Sequence, residues 1–345
     1  MNKEHRVHLP NRRNAPRNRM VGQLAALTIT IFISFPTSAS TLLEPGFTET
    51  IIDTIAPATN GYGGMITDAS GNLYFAANEA DEVYIVPSGG SASIFGTNPG
   101  TTALGVTIIG TVLYSSYGSG AIYSQNLLQA APVASVIANV ATPMGMDVAP
   151  ASFGGFGGQL VVGTTSGVSV VDPASGVETV LWNAGTEISD VAFILDGRLI
   201  VTRENTGELI ELSAAGVPTP FAAGLGAPDG IAVHPGTGDI YVTDPNSSTL
   251  WRVAPDGSSV SAFATGAAVD GGYFPSPIAF SVDGTELFYG TRESGTTIYR
   301  ISGFPSVTPA SPPTPVPAND TLALLALILG LALAGMLTMR STAAG

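Results

Sequence analysis

Residues 228–266 constrain the fold more than any other stretch, because they predict four short strands in succession. Apolar and polar residues alternate with a period of two over residues 230–233, 239–243, 249–253 and 260–264. Gly, Pro, Asn and Asp fill the turns between them, as tight reversals require. The stretch therefore predicts a four-stranded antiparallel meander, and a sheet of this size needs neighbours to cover its two faces.

Similar units recur along the chain at intervals of 40 to 47 residues. The middle residue of the turn into the first strand of each unit is, in order, Gly64, Gly105, Gly145, Asp190, Gly230 and Pro277. Repeats of about 40–50 residues with four strands each are typical of β-propellers. The sequence therefore predicts an all-β fold, a six-bladed β-propeller of four-stranded antiparallel blades. The number of blades would differ by one if residues 267–275, before the last unit, contained an irregular pair of strands.

The two ends of the repeat region are expected to meet in one blade. The last repeat, residues 277–302, supplies only three strands before Gly303, Phe304 and Pro305 break the pattern. Residues 47–55 alternate like a strand and precede the first repeat. We predict that they form the outer strand of the final blade, because closing the ring leaves only short edges exposed. Deleting them should open the propeller.

The two termini indicate export and membrane attachment. Residues 1–39 are basic, then apolar, then small, which predicts a secretory signal peptide, with an uncleaved anchor as the alternative. The propeller is assigned to residues 41–304 and a proline-rich linker to residues 305–320. In the remaining tail, residues 321–345, a run of uncharged residues is long enough for a C-terminal transmembrane helix; a buried helix of a globular domain is the alternative.

Charge and composition limit the partners. Between residues 41 and 304 there are 24 Asp and Glu but only five Arg, a net charge of about −19. Such a surface repels phosphate backbones, so nucleic acid is excluded as a partner, whereas cations or cationic surfaces are compatible with it. Acidity that merely keeps an exported protein soluble is the other interpretation. Cysteine is absent, so disulfides play no part in the fold.

Few residues remain for catalysis. After the predicted signal peptide the chain has one histidine, His234, and no lysine. His234 adjoins a Pro-Gly turn, where we expect a structural or solvated histidine. Histidine-based metal sites are excluded by number. Carboxylate chemistry, or an oxygen-ligated Ca²⁺ or other divalent cation, is what the composition allows.

One face of the propeller should carry the candidate site. In a four-stranded blade, the turn into the first strand and the turn between the second and third strands open on the same face. Loops on a rigid scaffold can vary without breaking the fold, so a small molecule or an envelope component would bind there. The paired Arg and Glu residues on this rim could orient a polar ligand or be surface ion pairs. The rim comprises Asp229, Asn78, Glu79, Asp81, Tyr117, Arg203, Glu204, Asn205, Asp244, Asn246, Arg292 and Glu293.

The C-terminal tail resembles bacterial sorting signals of the PEP-CTERM and IPTL-CTERM types. The resemblance consists of the residues Val-Pro-Ala-Asn-Asp at 316–320, the apolar run after them and the basic Arg340. The tail has no Pro-Glu-Pro, and the usual basic cluster is reduced to one arginine. The resemblance implies a membrane-bound processing enzyme as a partner. It also implies a propeller outside the cytoplasm, either anchored or released to the cell surface after cleavage.

The body resembles NHL-repeat propellers and the gluconolactonase (regucalcin)-like family, through PDGIAV at 228–233 and GDIYVTD at 238–244. That family implies a divalent metal at the channel mouth, held by a Glu, two Asn and an Asp. Asp229 matches the Asp, as a metal ligand and catalytic residue. The corresponding positions in the other blades are occupied by Gly63, Leu104, Met144, Ser189 and Ser276.

Two functions follow from these observations. The one we favour is an exported binding or structural module tethered to a membrane. The alternative is a metal-dependent hydrolase of lactones that uses Asp229. The two differ in one observable, because the hydrolase requires several oxygen ligands converging within about 2.3–2.6 Å of one point near Asp229.

Overall fold

The computed structural model describes residues 40–54, 61–78, 80–97, 100–267, 269, 275–291 and 297–307. The predicted signal peptide, the transmembrane tail and all but the first three residues of the linker lie outside these ranges. Within them, no helix is both long and apolar enough to cross a bilayer. The described chain forms 25 strands in six antiparallel sheets, which confirms the predicted six-bladed propeller.

The strands follow one another in the predicted order. Two strands precede the repeats, β1 (Thr41–Leu42) and β2 (Thr48–Thr54). Blade 1 contains β3 (Tyr62–Thr67), β4 (Leu73–Ala77), β5 (Glu82–Val86) and β6 (Ser93–Ile94). Blade 2 contains β7 (Ala103–Ile109), β8 (Val112–Tyr117), β9 (Ala121–Asn126) and β10 (Ser135–Asn139). Blade 3 contains β11 (Pro143–Val148), β12 (Leu160–Thr164), β13 (Gly167–Val171) and β14 (Glu178–Asn183).

The second half of the ring repeats this arrangement. Blade 4 contains β15 (Val191–Phe193), β16 (Leu199–Arg203), β17 (Glu208–Leu212) and β18 (Pro218–Ala223). Blade 5 contains β19 (Ile231–Val233), β20 (Ile240–Asp244), β21 (Thr249–Val253) and β22 (Val260–Thr265). Blade 6 contains β23 (Ile278–Phe280), β24 (Glu286–Thr291) and β25 (Thr297–Ser302). Two single 3-10 turns, Gly154–Phe156 and Glu204–Thr206, lie in the connections.

The ring closes as the sequence predicts. Strand β2 pairs antiparallel with β25, with Thr48 opposite Ser302, and becomes the outer strand of blade 6. One feature was not predicted: β1 pairs with β22 and gives blade 5 a fifth strand. Phe47, between these two strands, packs edge-on against Phe263 with ring centroids 4.9 Å apart. The N-terminal segment therefore holds blades 5 and 6 together.

The core lies between the blades, because each sheet buries its faces against its neighbours. The described residues contain six clusters of buried apolar side chains, and each cluster combines residues of two adjacent blades. Between blades 4 and 5, for example, Ile200 and Leu209 pack against Ile240 and Val253, all fully buried. Burying one such side chain contributes roughly 1.5–3 kcal/mol. The alternating pattern of each strand is thus explained by a junction with a neighbouring blade.

Candidate functional site

The pairing register places the candidate residues on one face. Ile231, at the start of β19, lies opposite Val242, near the end of β20. The backbone N–H of Asp229 donates to the carbonyl of Thr243 at 3.0 Å. The turn into the first strand therefore adjoins the turn that follows the second strand, as expected. We call this side of the ring the Asp229 face, and the side with the other connections the opposite face.

Asp229 lies at the junction between blades 5 and 6 and is fully buried. Its Oδ2 accepts hydrogen bonds from the backbone N–H of Ser276, at 3.1 Å, and from the Ser276 hydroxyl. Its Oδ1 is buried and has no hydrogen-bonding partner among the described residues. Burial, with the nearby charges of Glu204 and Asp190, holds the pKa of Asp229 well above its ordinary value despite the hydrogen bonds from Ser276. This buried carboxyl group, with its raised pKa, ties two blades together.

Two further carboxylates make the same kind of contact at the preceding blade junctions. Asp147 in β11 of blade 3 accepts a hydrogen bond from the backbone N–H of Phe193 in blade 4, at 2.7 Å. Asp190, just before β15 of blade 4, accepts one from the backbone N–H of Ile231 in blade 5, at 3.0 Å. The second oxygen of each accepts the N–H of the following residue. Three consecutive junctions are thus bridged by carboxyl groups.

These carboxyl groups have raised pKa values because they are held away from water. Burial raises the pKa of Asp147 to about 6, although its two backbone hydrogen bonds lower it. Burial raises the pKa of Asp190 to about 8, with a smaller contribution from the charge of Asp147. At pH 7, Asp147 is mainly ionised and Asp190 mainly protonated. Perturbed carboxyl groups in a cavity mark a candidate functional site.

The cavity in question is the central channel, with a volume of about 370 Å³. The first strand of every blade lines it, and both Asp147 and Asp190 reach its wall. Most of the remaining lining is apolar and includes Met65, Met146 and Phe193. The channel thus combines apolar side chains with polar groups that include two carboxyl groups, as small-molecule sites do.

The recurrent glycine in the turn before the first strand is explained by crowding around this channel. A Cβ atom on Gly230 would lie 2.0 Å from the carbonyl oxygen of Ser276 in the next blade. A Cβ atom on Gly145 would lie 1.9 Å from Oδ1 of Asp190. Asp190 itself stands where four other blades have glycine, and its carboxyl group uses the space that Gly145 leaves free. The glycine repeat is therefore a requirement for close approach of neighbouring blades.

Four of the predicted rim residues meet in one cleft on the Asp229 face. Glu204, Asp244 and Asn246 line it, together with Asn205. Asp244 is fully buried and organises its own turn, accepting hydrogen bonds from two backbone N–H groups, a hydroxyl and an indole N–H. Burial, and then the charge of Asp244, raises the pKa of Glu204. The cleft is acidic, and Glu204 also acts electrostatically on Asp229.

The other predicted rim residues are placed as follows. Arg203 forms an ion pair with Glu208 at 3.7 Å. Asp81 accepts a hydrogen bond from the backbone N–H of Thr102 and so ties blade 1 to blade 2. Glu79, Arg292 and Glu293 lie outside the described residues, so the place of the Arg292-Glu293 pair on the rim remains a prediction.

His234 lies away from this site, on the opposite face. Its side chain is buried, and its Nδ1 accepts the backbone N–H groups of Gly236 and Thr237 at 3.1 and 3.0 Å. Its ring packs edge-on against Phe280, with centroids 5.0 Å apart. Burial lowers its pKa. Its contacts are those of a structural histidine.

Sequence reasoning missed Asp147 and Asp190, which are the carboxyl groups of the channel itself. Two signals could have identified them. Asp147 is the one charged residue in the predicted first strand of its blade, and Asp190 replaces glycine at a recurrent position. A charged residue is unusual in a buried strand or at a recurrent glycine position, so it marks a candidate functional group.

The described residues do not fit a resident divalent metal of the kind the gluconolactonase resemblance implies. The unpartnered Oδ1 of Asp229 could serve as one ligand, but its Oδ2 is bound by Ser276. No group of three His, Cys, Asp or Glu residues converges in the described part of the chain. Calcium prefers six to eight oxygen ligands. The convergence required for the hydrolase is therefore not met by these residues.

Comparisons with known proteins identify the fold. No family sequence profile matches the chain, and no curated protein is similar to it in sequence. Among solved structures, a calcium-binding regucalcin from Agrobacterium tumefaciens matches with a TM-score of 0.58 and 16% identity, over 76% of this chain and 98% of that one. A putative gluconolactonase matches with a TM-score of 0.59 and 16% identity, over 77% and 96%.

A third similar structure is a catalytically inactive His-to-Ala variant of virginiamycin B lyase from Staphylococcus aureus with quinupristin. It matches with a TM-score of 0.53 and 12% identity, over 74% of this chain and 99% of that one. Identities this low establish a shared architecture only. The chain thus has the six-bladed propeller fold found in gluconolactonase/regucalcin-like proteins and in virginiamycin B lyase.

Proposed function

We propose that this protein is an exported, membrane-tethered propeller that binds a small organic cation in its central channel. The observation that carries the proposal is the pair Asp147 and Asp190, two carboxyl groups on the wall of a channel that is otherwise lined mostly by apolar side chains. The acidic body, with a net charge of about −19 over residues 41–304, would attract such a ligand. The signal-like N-terminus and the apolar C-terminal run support export and tethering.

The chemistry of the channel favours a ligand with an ammonium group and a short apolar body. An ionised carboxylate in this setting loses hydration, which is why both pKa values are raised. A bound cation would compensate that loss and favour the ionised form, while apolar atoms of the ligand would contact Met65 and Met146. Binding at pH 7 would therefore release a proton from Asp190. The affinity for the cation would increase as the pH rises from 6 to 8.

Lactone hydrolysis is the weaker candidate. Asp229 is enclosed between blades 5 and 6, and the described residues around it supply no set of metal ligands. A lyase function is not supported either: replacing one histidine inactivates virginiamycin B lyase, whereas the one histidine among the described residues, His234, is buried and makes the contacts of a structural residue. The structural neighbours support a common fold rather than a common reaction.

The proposal is tested by the thermal midpoint of the full chain in detergent with millimolar n-butylammonium chloride at pH 7.5. We expect the midpoint to rise, since a ligand that binds only the folded state stabilises it. The same concentration of n-butanol, which lacks the charge, should leave the midpoint unchanged. Asp190→Asn should lose the response, whereas Asp256→Asn, an exposed carboxylate on the opposite face, should retain it. Equal responses to amine and alcohol, or none to the amine, would refute a cation site.

A further inference from the structure

The chain leaves the propeller on the face opposite Asp229. After β25, Phe304 packs among the rings of Phe280 and His234, at centroid distances of 5.1 and 5.9 Å. The backbone N–H of Val307 donates to the carbonyl of Asp283 at 2.8 Å. Its side chain also lies so close to Gly236 that a Cβ atom there would be 1.8 Å from Val307 Cγ1. The point of departure is therefore fixed by contacts to blades 5 and 6.

Both contacts of Val307 belong to the opposite face. Gly236 lies in the connection between β19 and β20, and Asp283 in the connection between β23 and β24. These join first to second strands, so they are on the side away from Asp229. Pro235 and Val282, in the same two connections, line the channel. The C-terminal segment thus begins beside the channel opening on this face.

Exposed apolar side chains are distributed unevenly between the two faces. Among the described residues, the connections on the Asp229 face contain no large apolar side chain that is exposed. Those on the opposite face contain six, up to 78% exposed at Leu128. They are Leu128, Val133, Val177, Leu195, Val217 and Val282. An excess of exposed apolar side chains on one face of a domain, although they are spread over several blades, is compatible with a contact surface.

We propose that the opposite face is the lipid-facing surface of the propeller, and that the Asp229 face points away from the membrane. The inference rests on the proposed tethering through residues 321–339. Only 13 residues, 308–320, separate Val307 from that run. Fully extended, they reach at most about 45 Å. A tether this short, starting at this face, keeps the six apolar side chains next to the bilayer.

The charges on the opposite face indicate which lipid headgroups it can contact. Asp172 and Asp256 are exposed in its turns and are ionised at neutral pH, since hydrogen bonds from neighbouring hydroxyl and N–H groups lower the pKa of both. Anionic headgroups would be repelled by them. The partner that fits is therefore a zwitterionic lipid surface, contacted through apolar side chains. Ligand would enter the channel from the side facing away from the membrane.

The test uses the absence of cysteine from the full chain. Ser119→Cys and Leu128→Cys place a fluorescent donor at the two ends of β9, on the Asp229 face and the opposite face respectively. Six residues of strand separate the positions by roughly 20 Å. Each labelled protein is reconstituted into phosphatidylcholine vesicles that contain an acceptor-labelled lipid. A third variant, Ser258→Cys, labels the opposite face at blade 5 and leaves the apolar set intact.

We expect energy transfer to be at least twofold more efficient from positions 128 and 258 than from position 119. Replacing a third of the phosphatidylcholine by phosphatidylglycerol should reduce transfer from positions 128 and 258. Equal or reversed efficiencies in protein that floats with the vesicles would overturn the orientation while leaving the tether intact. Protein that does not float with the vesicles would refute the tether, and the orientation with it.

Discussion

The two halves of the inner ring are held together by different chemistry. Around blades 1 and 2, the innermost strands meet their neighbours through neutral groups: Gly63 approaches the carbonyl of Leu104, and the Ser116 hydroxyl donates to the carbonyl of Met144 at 2.6 Å. The carboxylates that join these blades, Asp53 and Asp81, lie outside the innermost strands and accept the backbone N–H groups of Ala92 and Thr102. From blade 3 to blade 6, carboxyl groups bridge each junction. The innermost strands therefore do not require ionisable groups for close packing, since those of blades 1 and 2 pack without them. Their presence in the other half, beside the channel, points to a function.

The largest expected difference between the carboxyl-bridged half and the neutral half of the inner ring is the dependence of stability on pH. Asp147 and Asp190 have folded-state pKa values of about 6 and about 8, above the ordinary value of 3.8. The folded state thus binds more protons than the unfolded state, and the stability from these groups is complete below about pH 4 and lost as pH rises through 6 and 8. We expect urea denaturation to show a free energy of unfolding that is lower at pH 8 than at pH 5 by roughly 5 kcal/mol, at about 1.4 kcal/mol per pH unit for each group below its folded-state pKa.

Matched variants assign this response to the carboxyl-bridged half. The double variant Asp147→Asn/Asp190→Asn should reduce the dependence of the unfolding free energy on pH between 5 and 8, and Asp229, whose pKa is also raised, should account for the slope that remains. Asp172→Asn, which removes an exposed carboxylate on the opposite face, should keep the slope of the wild type. An unchanged slope in the double variant would mean that overall charge repulsion, and not the bridges, governs the response.

Gly63→Ala tests the neutral half. The new Cβ atom would lie 1.8 Å from the backbone oxygen of Leu104, which no side-chain rotation can relieve. We expect a loss of about 3 kcal/mol in the free energy of unfolding, similar at pH 5 and pH 8. Gly155→Ala, where a Cβ atom meets nothing within 4 Å, is the control. Equal denaturation midpoints for the two variants would disprove the crowding argument.

Gly145→Ala tests the corresponding position in the other half. Here the nearest obstacles are side-chain atoms of Asp190, at 1.9 and 2.6 Å, although its Cα atom is also close. We expect a loss of about 2 kcal/mol, part of which should be recovered when Asp190→Gly is added. The coupling is measured by a double-mutant cycle in urea. Strictly additive effects would show that the two residues do not compete for the same space.

Ser116→Ala should have the smallest effect. Its buried hydroxyl accepts the backbone N–H of Gly105 at 2.8 Å and donates to Met144. Losing these bonds should cost about 1 kcal/mol at every pH, because no ionisable group takes part. Chemical denaturation at pH 5 and pH 8 measures it. A cost that changes between the two pH values would contradict the description of this half as neutral.

The sequence predicted most of the architecture because a propeller repeats the same signals in every blade. The alternating strands, the recurrent turn residues and the missing fourth strand of the last repeat led to six blades closed by residues 47–55. Strand β1 could not be found in this way, since the two residues Thr41 and Leu42 show no alternation. Its position depends on Phe47, which packs against Phe263 and Phe304 in the tertiary structure.

The candidate site was less predictable for a physical reason. Asp229 was identified through a resemblance, yet its burial and its bonds to Ser276 arise from a blade 47 residues away in sequence. The raised pKa values of Asp147 and Asp190 likewise depend on enclosure by several blades. Residue types and spacing indicate which face a side chain is on. They do not indicate how much water reaches it.

The central claim is that carboxyl groups on the channel wall have raised pKa values and bind a cation. Its most direct test is a carbon-13 NMR titration of the side-chain carboxyl groups in aspartate-labelled protein. We predict one resonance with a midpoint near pH 8 that is absent from Asp190→Asn and moves to lower pH when n-butylammonium is added. A wild-type protein in which every aspartate observed between pH 3 and pH 9 titrates below pH 5 would contradict the account.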